Sequence, residues 1–248
     1  MSEVFRKTGP ASAIDMFTAE AEGLEAIAAT KAIRVPEVYR TGIDGDTAFI
    51  EMEKLRLEPT SRATESALGE QLAAMHASTA EQFGWHRENT IGLTPQHNDW
   101  SDNWVDFFRE QRLGFQLRLA AANGYTGSLQ TQGARLLERL PLFFDNHEPR
   151  PALLHGDLWG GNWGSCDGAP VIFDPAVYYG DPESDLAMTR LFGGFGRAFY
   201  EAYAALVPTA SGSHDRSDLY QLYHVLNHLN LFGSAYLGRA QGLINKLL

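Results

Sequence analysis

Cysteine is nearly absent. Cys166 stands alone among 248 residues, so neither an intramolecular disulfide nor a cysteine-built metal cluster can form, and a reducing compartment suits the chain. No apolar run approaches the roughly 18 residues of a membrane span. The opening residues, Met1-Ser2-Glu3-Val4-Phe5-Arg6-Lys7, lack the apolar stretch of a signal peptide. These absences predict a soluble, cytoplasmic protein that does not use a membrane. Basic residues are the minority charge, 20 Lys and Arg against 31 Asp and Glu, for a formal net charge of −11. That balance excludes the basic footprint of a general nucleic-acid binder and reads as a well-solvated surface. It does not exclude a nucleotide, because phosphate sites are built locally from backbone N–H groups and a few cations. Internal repeats and low-complexity tracts are also missing.

What is present is an ordinary globular composition, 44% hydrophobic and 21% charged, long enough for one large domain or two small lobes. The first part is mixed. Val4 to Lys7 reads as the end of a strand, Ala13 to Ala28 as an amphipathic helix, and Val35 to Tyr39 as extended chain. Asp44-Gly45 makes a hairpin turn, and Thr47 to Met52 is apolar enough for a buried strand. After about Leu57 the periodicity is helical. Leu68, Leu72 and Met75 share a helix face, and Ser101 is placed to cap a helix carrying Trp104, Phe107, Phe108 and Phe115. A further helix is expected over Leu129 to Leu140. Between Leu153 and Pro175 come loops, the Asp167-Gly168 turn and a strand over Val171-Ile172-Phe173. Helices resume at Glu183, the last long one carrying Leu219, Leu222, Tyr223, Leu226 and Leu229. This order predicts a two-lobed α+β enzyme with its site at the junction.

The chemistry concentrates in Leu154-His155-Gly156-Asp157-Leu158-Trp159-Gly160-Gly161-Asn162-Trp163, followed by Ile172-Phe173-Asp174-Pro175. Asp157 and Asn162 stand five residues apart, and Asp174 follows a short apolar strand. Phosphoryl transfer needs a group to take the attacking hydroxyl's proton and oxygen ligands that hold Mg²⁺ against the phosphates. These residues supply the parts in the order used by protein kinases. Taken singly, Asp157 is better read as a turn residue and Asp174 as a strand end. All the pieces together, in order and at that spacing, reverse the judgement.

The segment resembles the fructosamine-3-kinase (ketosamine kinase) family, a branch of the aminoglycoside-phosphotransferase-like kinases. The family's catalytic loop reads His-Gly-Asp-Leu-Trp-Ser-Gly-Asn, with Gly160 at the Ser position here. The likeness continues through Phe173-Asp174-Pro175-Ala176-Val177-Tyr178-Tyr179-Gly180-Asp181, Asp185-Leu186-Ala187-Met188, Leu191-Phe192-Gly193-Gly194-Phe195 and Leu222 to Gly233. Upstream, Phe83-Gly84-Trp85, Ile91-Gly92, Pro95-Gln96 and Asn98-Asp99-Trp100 also match. The resemblance implies a protein-kinase-like α+β fold, with residues 1–57 as a small nucleotide-binding lobe and 58–248 as a mainly helical catalytic and substrate-binding lobe. It implies ATP and Mg²⁺ as cofactors, and phosphorylation of the 3-hydroxyl of a ketosamine, free or protein-bound, of the fructosamine or ribulosamine type.

Carried over residue by residue, Asp157 is the base, and Asn162 and Asp174 are the Mg²⁺ ligands. Lys7 matches the strand lysine that contacts nucleotide phosphates, with Glu20 as its helix partner and Glu22 as the alternative. Glu51, Met52 and Glu53 match the hinge whose backbone binds adenine. Trp159, Asn227, His228 and Asn230 are candidates for the sugar pocket. Against each stands a plainer role: a solvated lysine, surface glutamates, a packed tryptophan, satisfied helix polarity. His155 is expected to shape the loop and Asp185 to brace it. Cys166, with no basic neighbour, is given no role.

One departure from the family pattern is at the front. Only six residues precede Lys7, too few for the strand and covering loop that shield ATP phosphates in such kinases, and Phe192-Gly193-Gly194-Phe195-Gly196 lies too far downstream to replace them. The expectation is therefore a truncated N-terminal lobe. Either a longer product is the active kinase, or this chain is an inactive pseudokinase or binding protein whose sheet has an exposed edge. An aminoglycoside- or choline-type acceptor is a further alternative. A metal-dependent hydrolase built on His155 and Asp157 is disfavoured, since no second His-rich ligand cluster accompanies them.

Overall fold

A computed structural model describes residues 3–248; Met1 and Ser2 of the opening segment lie outside the described residues. The N-terminal lobe is built from β1 (Val4–Pro10), α1 (Ile14–Ala29), β2 (Val38–Asp44) and β3 (Thr47–Glu53). The sheet is antiparallel in the order β1-β3-β2, with Lys7 opposite Ile50. The β2–β3 turn uses Gly45 at φ +60°, a conformation glycine adopts without strain. Because side chains alternate along a strand, Ala48, Ile50 and Met52 face α1 and pack on Phe17, Ala21 and Leu24. The opposite face carries Phe49, covered by the guanidinium groups of Arg6 at 4.1 Å and Arg40 at 5.0 Å. The first strand is longer than the sequence pattern suggested.

Helix α1 also joins the lobes. Ile27 belongs to the larger core, and Gly23 lies so close to Val177 that a Cβ there would sit 3.2 Å from its side chain. Residues 54–61 then cross to the second lobe, where Glu58 N–H donates to Ser165 O at 2.9 Å. Helix α2 (Arg62–His76) begins with a reciprocal cap, Thr64 N–H donating to Ser61 Oγ at 3.2 Å and Ser61 N–H to Thr64 Oγ1 at 2.8 Å. Its Leu68, Leu72 and Met75 are fully buried, as the spacing predicts.

A short hairpin, β4 (Asn89–Ile91) and β5 (Thr94–Gln96), precedes α3 (Trp104–Phe107). The cap of α3 is Asn103, whose Oδ1 accepts from Asp106 N–H at 3.0 Å; Ser101 instead hydrogen-bonds the backbone of Asn103. A π-helical stretch, Phe108–Gly114, runs on from α3 before α4 (Phe115–Ala122). The inserted residue per turn changes the facing, so Trp104, Phe107 and Phe108 are buried while Phe115 is only half-buried. After α5 (Ser128–Arg139) come β6 (Ala152–Leu154), β7 (Trp163–Cys166), β8 (Ala169–Ile172) and β9 (Tyr178–Gly180), paired β6–β9 and β7–β8. Strand β8 ends at Ile172; Phe173 already belongs to the following loop, its N–H donating to Asn162 O at 3.0 Å. Helices α6 (Glu183–Leu191), α7 (Arg197–Leu206), α8 (Ser213–Phe232) and α9 (Leu237–Leu247) complete the lobe.

Candidate active site

The loop after β6 is pinned from beneath. Asp185, buried on α6, accepts from the backbone N–H of His155 at 2.8 Å and of Gly156 at 2.9 Å. His76 Nε2 reaches the same carboxylate at 3.1 Å, and its Nδ1 meets Tyr203 Oη at 2.8 Å. Burial works against the Asp185 charge, but the hydrogen bonds and field of His76 and the amide of His155 outweigh it and hold the carboxyl below its usual range. Gly156 has φ +82°, and a Cβ there would meet Ala176 O at 2.0 Å, so only glycine fits. The His155 ring, kept neutral by burial, links both halves of the loop. Its Nε2 donates to Phe173 O at 3.0 Å and its Nδ1 accepts from Asp157 N–H at 3.3 Å.

This scaffold brings Asp157, Asn162 and Asp174 together. Asn162 Nδ2 donates to Asp157 O at 2.9 Å and also approaches Asp157 Oδ2 at 3.5 Å and Asp174 O at 3.4 Å. Asp174 sits at φ +56°, a strained conformation for a non-glycine residue. Burial, then the nearby charges of Asp185 and Asp174, push the Asp157 carboxyl up to about 7, with the Asn162 amide pulling weakly the other way.

Lys7 crosses from β1 to this cluster. Its Nζ donates to Glu20 Oε1 at 2.6 Å and to Asp174 Oδ1 at 2.5 Å. Burial opposes the Lys7 charge, but the two carboxylates outweigh it and raise Lys7 above its ordinary value. Burial likewise raises Glu20, against the pull of Lys7, since one cation is shared between two carboxylates. Glu22 faces elsewhere, accepting from Arg87 Nη1 at 2.9 Å and pairing with His86 at 3.1 Å. Lys7, Glu20, Asp157, Trp159, Asn162 and Asp174 line one cleft of about 340 Å³.

Other residues singled out in the sequence lie outside this cleft. Glu51, Met52 and Glu53 fall within β3, not beyond it. Met52 is buried, Glu51 pairs with Arg40 at 2.6 Å and Arg6 at 3.3 Å, and Glu53 with Arg34 at 2.7 Å. Glu53 N–H is already spent on Glu37 O and Lys54 N–H on Glu3 O. The Asn227 and Asn230 side chains share a helix face, but that face meets α4. Gln116 Nε2 donates to Asn227 Oδ1 at 3.3 Å, and Asn230 Nδ2 donates to Gln116 Oε1 at 2.8 Å. Both side chains thus have protein partners, Asn227 Nδ2 also donating to Ile91 O on β4 at 3.4 Å. His228 Nδ1 meets His224 O at 2.8 Å, while its ring packs on Phe192 at 4.8 Å. The sequence reading overlooked the β4–β5 hairpin, which lines the cleft with Asn89, Thr90, Gly92 and Leu93; its one local signal was Gly92, at φ +61°, between two short runs.

The chain is similar to known proteins along its whole length. The model of the family described as fructosamine kinase matches residues 1–248. This chain belongs to the fructosamine kinase family. The probable ketoamine kinase of Synechocystis is 46% identical over 246 residues, covering 98% of this chain and 82% of the relative. The chloroplastic protein-ribulosamine 3-kinase of Arabidopsis thaliana is 43% identical over 247 residues, covering 98% and 74%. A crystal structure assigned as a fructosamine-3-kinase, from Haemophilus somnus 129PT, superposes with a TM-score of 0.91 at 31% identity, covering 99% of this chain and 83% of that one. The fold is thus the kinase-like α+β fold of this family, and the chain is a phosphotransferase by family.

The donors in the cleft fit the divalent cation that such a kinase implies. Magnesium favours oxygen ligands, and Asp157, Asp174 and Asn162 offer carboxylates and an amide oxygen. The Asn162 amide nitrogen is turned toward Asp157 and the Asp174 backbone, which leaves its Oδ1 facing away from them. Burial is the larger cause of the raised Asp157 carboxyl, and the negative charges of Asp185 and Asp174 that add to it are an excess that a bound cation would relieve. The other metal-like grouping among the described residues, His147, Asp181 and Glu183, has its Glu183 carboxylate held by Arg216 at 2.7 and 2.9 Å.

Proposed function

We propose that this kinase transfers the γ-phosphoryl group of ATP to the 3-hydroxyl of a ketosamine of the fructosamine or ribulosamine type, free or protein-bound. One observation carries the chemistry: a carboxylate raised to about 7 stands beside Asn162 and Asp174 in a cleft that also holds a lysine. The named relatives supply the acceptor class.

In this reading Asp157 orients the acceptor hydroxyl and takes its proton as the oxygen bonds to the γ-phosphorus. The bond from that phosphorus to the β–γ bridging oxygen breaks, and ADP leaves. A pKa near the working pH suits a base that must be unprotonated yet still accept a proton. Asn162 and Asp174 would hold Mg²⁺, which neutralises phosphate charge. Lys7, oriented by Glu20, faces the phosphates. Asp174 and Glu20 compete for Lys7, so nucleotide binding draws the lysine away from Asp174. Glu51, Met52 and Glu53 end the strand that leads into residues 54–57, the approach to the adenine site. Residues 1–57 and 58–248 act as nucleotide and acceptor lobes, their junction being the cleft.

Family membership over the whole chain favours this reading over an inactive binding protein and over an aminoglycoside or choline acceptor. The test is coupled ADP release with MgATP and a synthetic ribulosamine or fructosamine, with phosphorus NMR on the product. A ketosamine-dependent 3-phosphate is expected; ADP release that ignores the ketosamine would sink the proposal.

A further inference from the structure

The backbone around Asp174 is anchored on both sides. Before it, Phe173 N–H donates to Asn162 O at 3.0 Å, and Phe173 O accepts from His155 Nε2 at 3.0 Å. After it, Ala176 N–H donates to His155 O at 2.8 Å. The remaining anchors there are side chains of the β4–β5 hairpin. Gln96 Nε2 donates to Ala176 O at 3.1 Å, and Asn89 Nδ2 donates to Val177 O at 2.8 Å. A non-glycine residue stays at φ +56° only where its surroundings over-determine it. Two buried amides from a separate hairpin supply part of that constraint.

These amides are oriented in turn by a buried cation. Arg112, in the π-helical stretch, is fully buried and donates to neutral oxygens, His97 O at 2.6 Å and Asn98 Oδ1 at 2.7 Å. A guanidinium can only donate, so Asn98 turns its oxygen to Arg112 and its nitrogen to Asn89 Oδ1, at 2.9 Å. Asn89 then has its nitrogen left for Val177 O, which can only accept. Gln96 closes the network. Its Nε2 also donates to Asn89 Oδ1 at 2.8 Å, and its Oε1 accepts from Tyr223 Oη on α8 at 2.8 Å. Turning over any one of the three amides would set acceptor against acceptor. A buried network whose amides are all paired specifies a single arrangement, and π-helical stretches recur at functional sites.

We propose that Asn89 and Gln96, keyed by Arg112, are positioning residues for Asp174, fixing the backbone that aims its carboxylate at a divalent cation. This role rests on the reading of Asp174 as a metal ligand. Both amides act through the Ala176 and Val177 carbonyls. With either bond lost, the segment after Asp174 can relax, and Asp174 can return to an ordinary negative φ that turns its carboxylate away. Partners behind the ligands of a metal site set ligand orientation, and losing one costs about 10–100-fold in metal affinity. The effect therefore falls on the cation, while the acceptor is bound as before.

The experiment measures Mn²⁺ binding by electron paramagnetic resonance with ADP present, alongside the Mg²⁺ concentration that half-saturates turnover. Gln96→Met keeps the length of the side chain and removes its amide. Both values should rise about tenfold, with ketosamine KM at saturating Mg²⁺ within about twofold of wild type. Tyr223→Phe removes one hydroxyl and frees only the far end of Gln96, so both values should rise about threefold. Leu136→Ala, a core truncation on α5 outside the network, should lower the melting temperature without moving the Mn²⁺ Kd. Unmoved Mn²⁺ Kd values in Gln96→Met and Tyr223→Phe, or an equal rise in Leu136→Ala, would reduce the network to core packing and overturn the positioning role. If Gln96→Met does not fold, Tyr223→Phe decides alone: a threefold rise supports the role and an unmoved Kd overturns it. Asp174→Asn separates the two readings, since it should weaken Mn²⁺ binding more than Gln96→Met does. Wild-type Mn²⁺ affinity in Asp174→Asn would remove Asp174 from the metal site and the positioning role with it. A weakened Asp174→Asn beside an unmoved Gln96→Met and Tyr223→Phe overturns the positioning role alone.

Discussion

The two walls of the cleft are held by opposite means. On the catalytic side, the Asp157 loop rests on Asp185, which is buried and receives two backbone N–H groups and His76. On the side proposed for the nucleotide, Lys7 projects from β1, an edge strand of a three-stranded sheet with no residue fully buried along its length. Its position depends on two carboxylates, one of which belongs to the opposite lobe. Asp157 is thus fixed by the core, while Lys7 is placed by an ion triad that spans the lobes. A kinase needs this asymmetry, because the base must be preorganised while the nucleotide must enter and leave.

The largest break in that comparison is Asp157→Asn. It removes the proposed base, and kcat should fall by about three orders of magnitude or more, with ATP Kd changed much less. The same substitution separates catalysis from stability. A carboxyl raised to about 7 in the fold, against an ordinary 3.8, binds more protons folded than unfolded between those values. Its stability is full below about pH 4 and is lost as pH rises through about 7. Asp157→Asn should therefore melt above wild type at pH 8, by on the order of 2–4 kcal/mol, and match it near pH 4. Thermal scans at both pH values check this, and a variant less stable at pH 8 would remove desolvation as the cause.

Asp185 is the next test, aimed at the support and not the chemistry. Asp185→Ala leaves the His155 and Gly156 amides and His76 without their buried acceptor, which should cost about 3–5 kcal/mol and collapse the loop. Asp185→Asn keeps one acceptor oxygen and should recover part of that stability, measured by denaturant titration. Equal losses for both variants would mean that the charge matters and the hydrogen bonds do not.

How much of this was legible in the sequence follows the same division. Asp157, Asn162 and Asp174 could be read because they lie within 18 residues and their spacing is set by one loop and one hairpin. Lys7 and Glu20 were named only through the family resemblance, with Glu22 as the alternative, and it is the packing of β1 on α1 that sets Lys7 on Glu20. Asn227 and Asn230 show the limit. Helical spacing puts them on one face, but nothing in the spacing says that the face meets Gln116 on α4 and not the cleft. The contacting rings of Trp159, Phe192, His228, Phe232 and Tyr236 come from the loop after Asp157, the end of α6, the end of α8 and the turn that follows it. No periodicity links such positions, and only the packed fold brings them together. The π-helical stretch was likewise invisible: no local signal marks it, although Phe108 and Leu113 along it are buried in the core.

On the nucleotide wall the effects should be smaller. Lys7→Met should lower kcat/KM for ATP by about 10²-fold, the scale of losing one charged donor at a transferring phosphate, with little change in acceptor KM. It also leaves Glu20 and Asp174 without the cation that both hydrogen-bond. An ATP kcat/KM within threefold of wild type would take Lys7 out of the phosphate site.

The finest distinction is between two glutamates one half-turn apart on α1. Glu20 points to Lys7, is mostly buried and is raised by that burial, so Glu20→Gln removes a charge that holds the lysine but also a desolvation cost. The two effects oppose each other in stability, and the expected result is a kcat/KM for ATP lower by about tenfold with melting nearly unchanged. Glu22 points to Arg87 and His86 at the opposite rim, as part of an exposed cluster. Surface pairs of this kind contribute about 0–1 kcal/mol, so Glu22→Gln should leave ATP kinetics within about twofold and stability within about 0.5 kcal/mol. Equal kinetic losses from both substitutions would mean that α1 acts as a rigid unit whose overall charge orients Lys7. A loss from Glu20→Gln alone would mean that the single hydrogen bond at 2.6 Å does so.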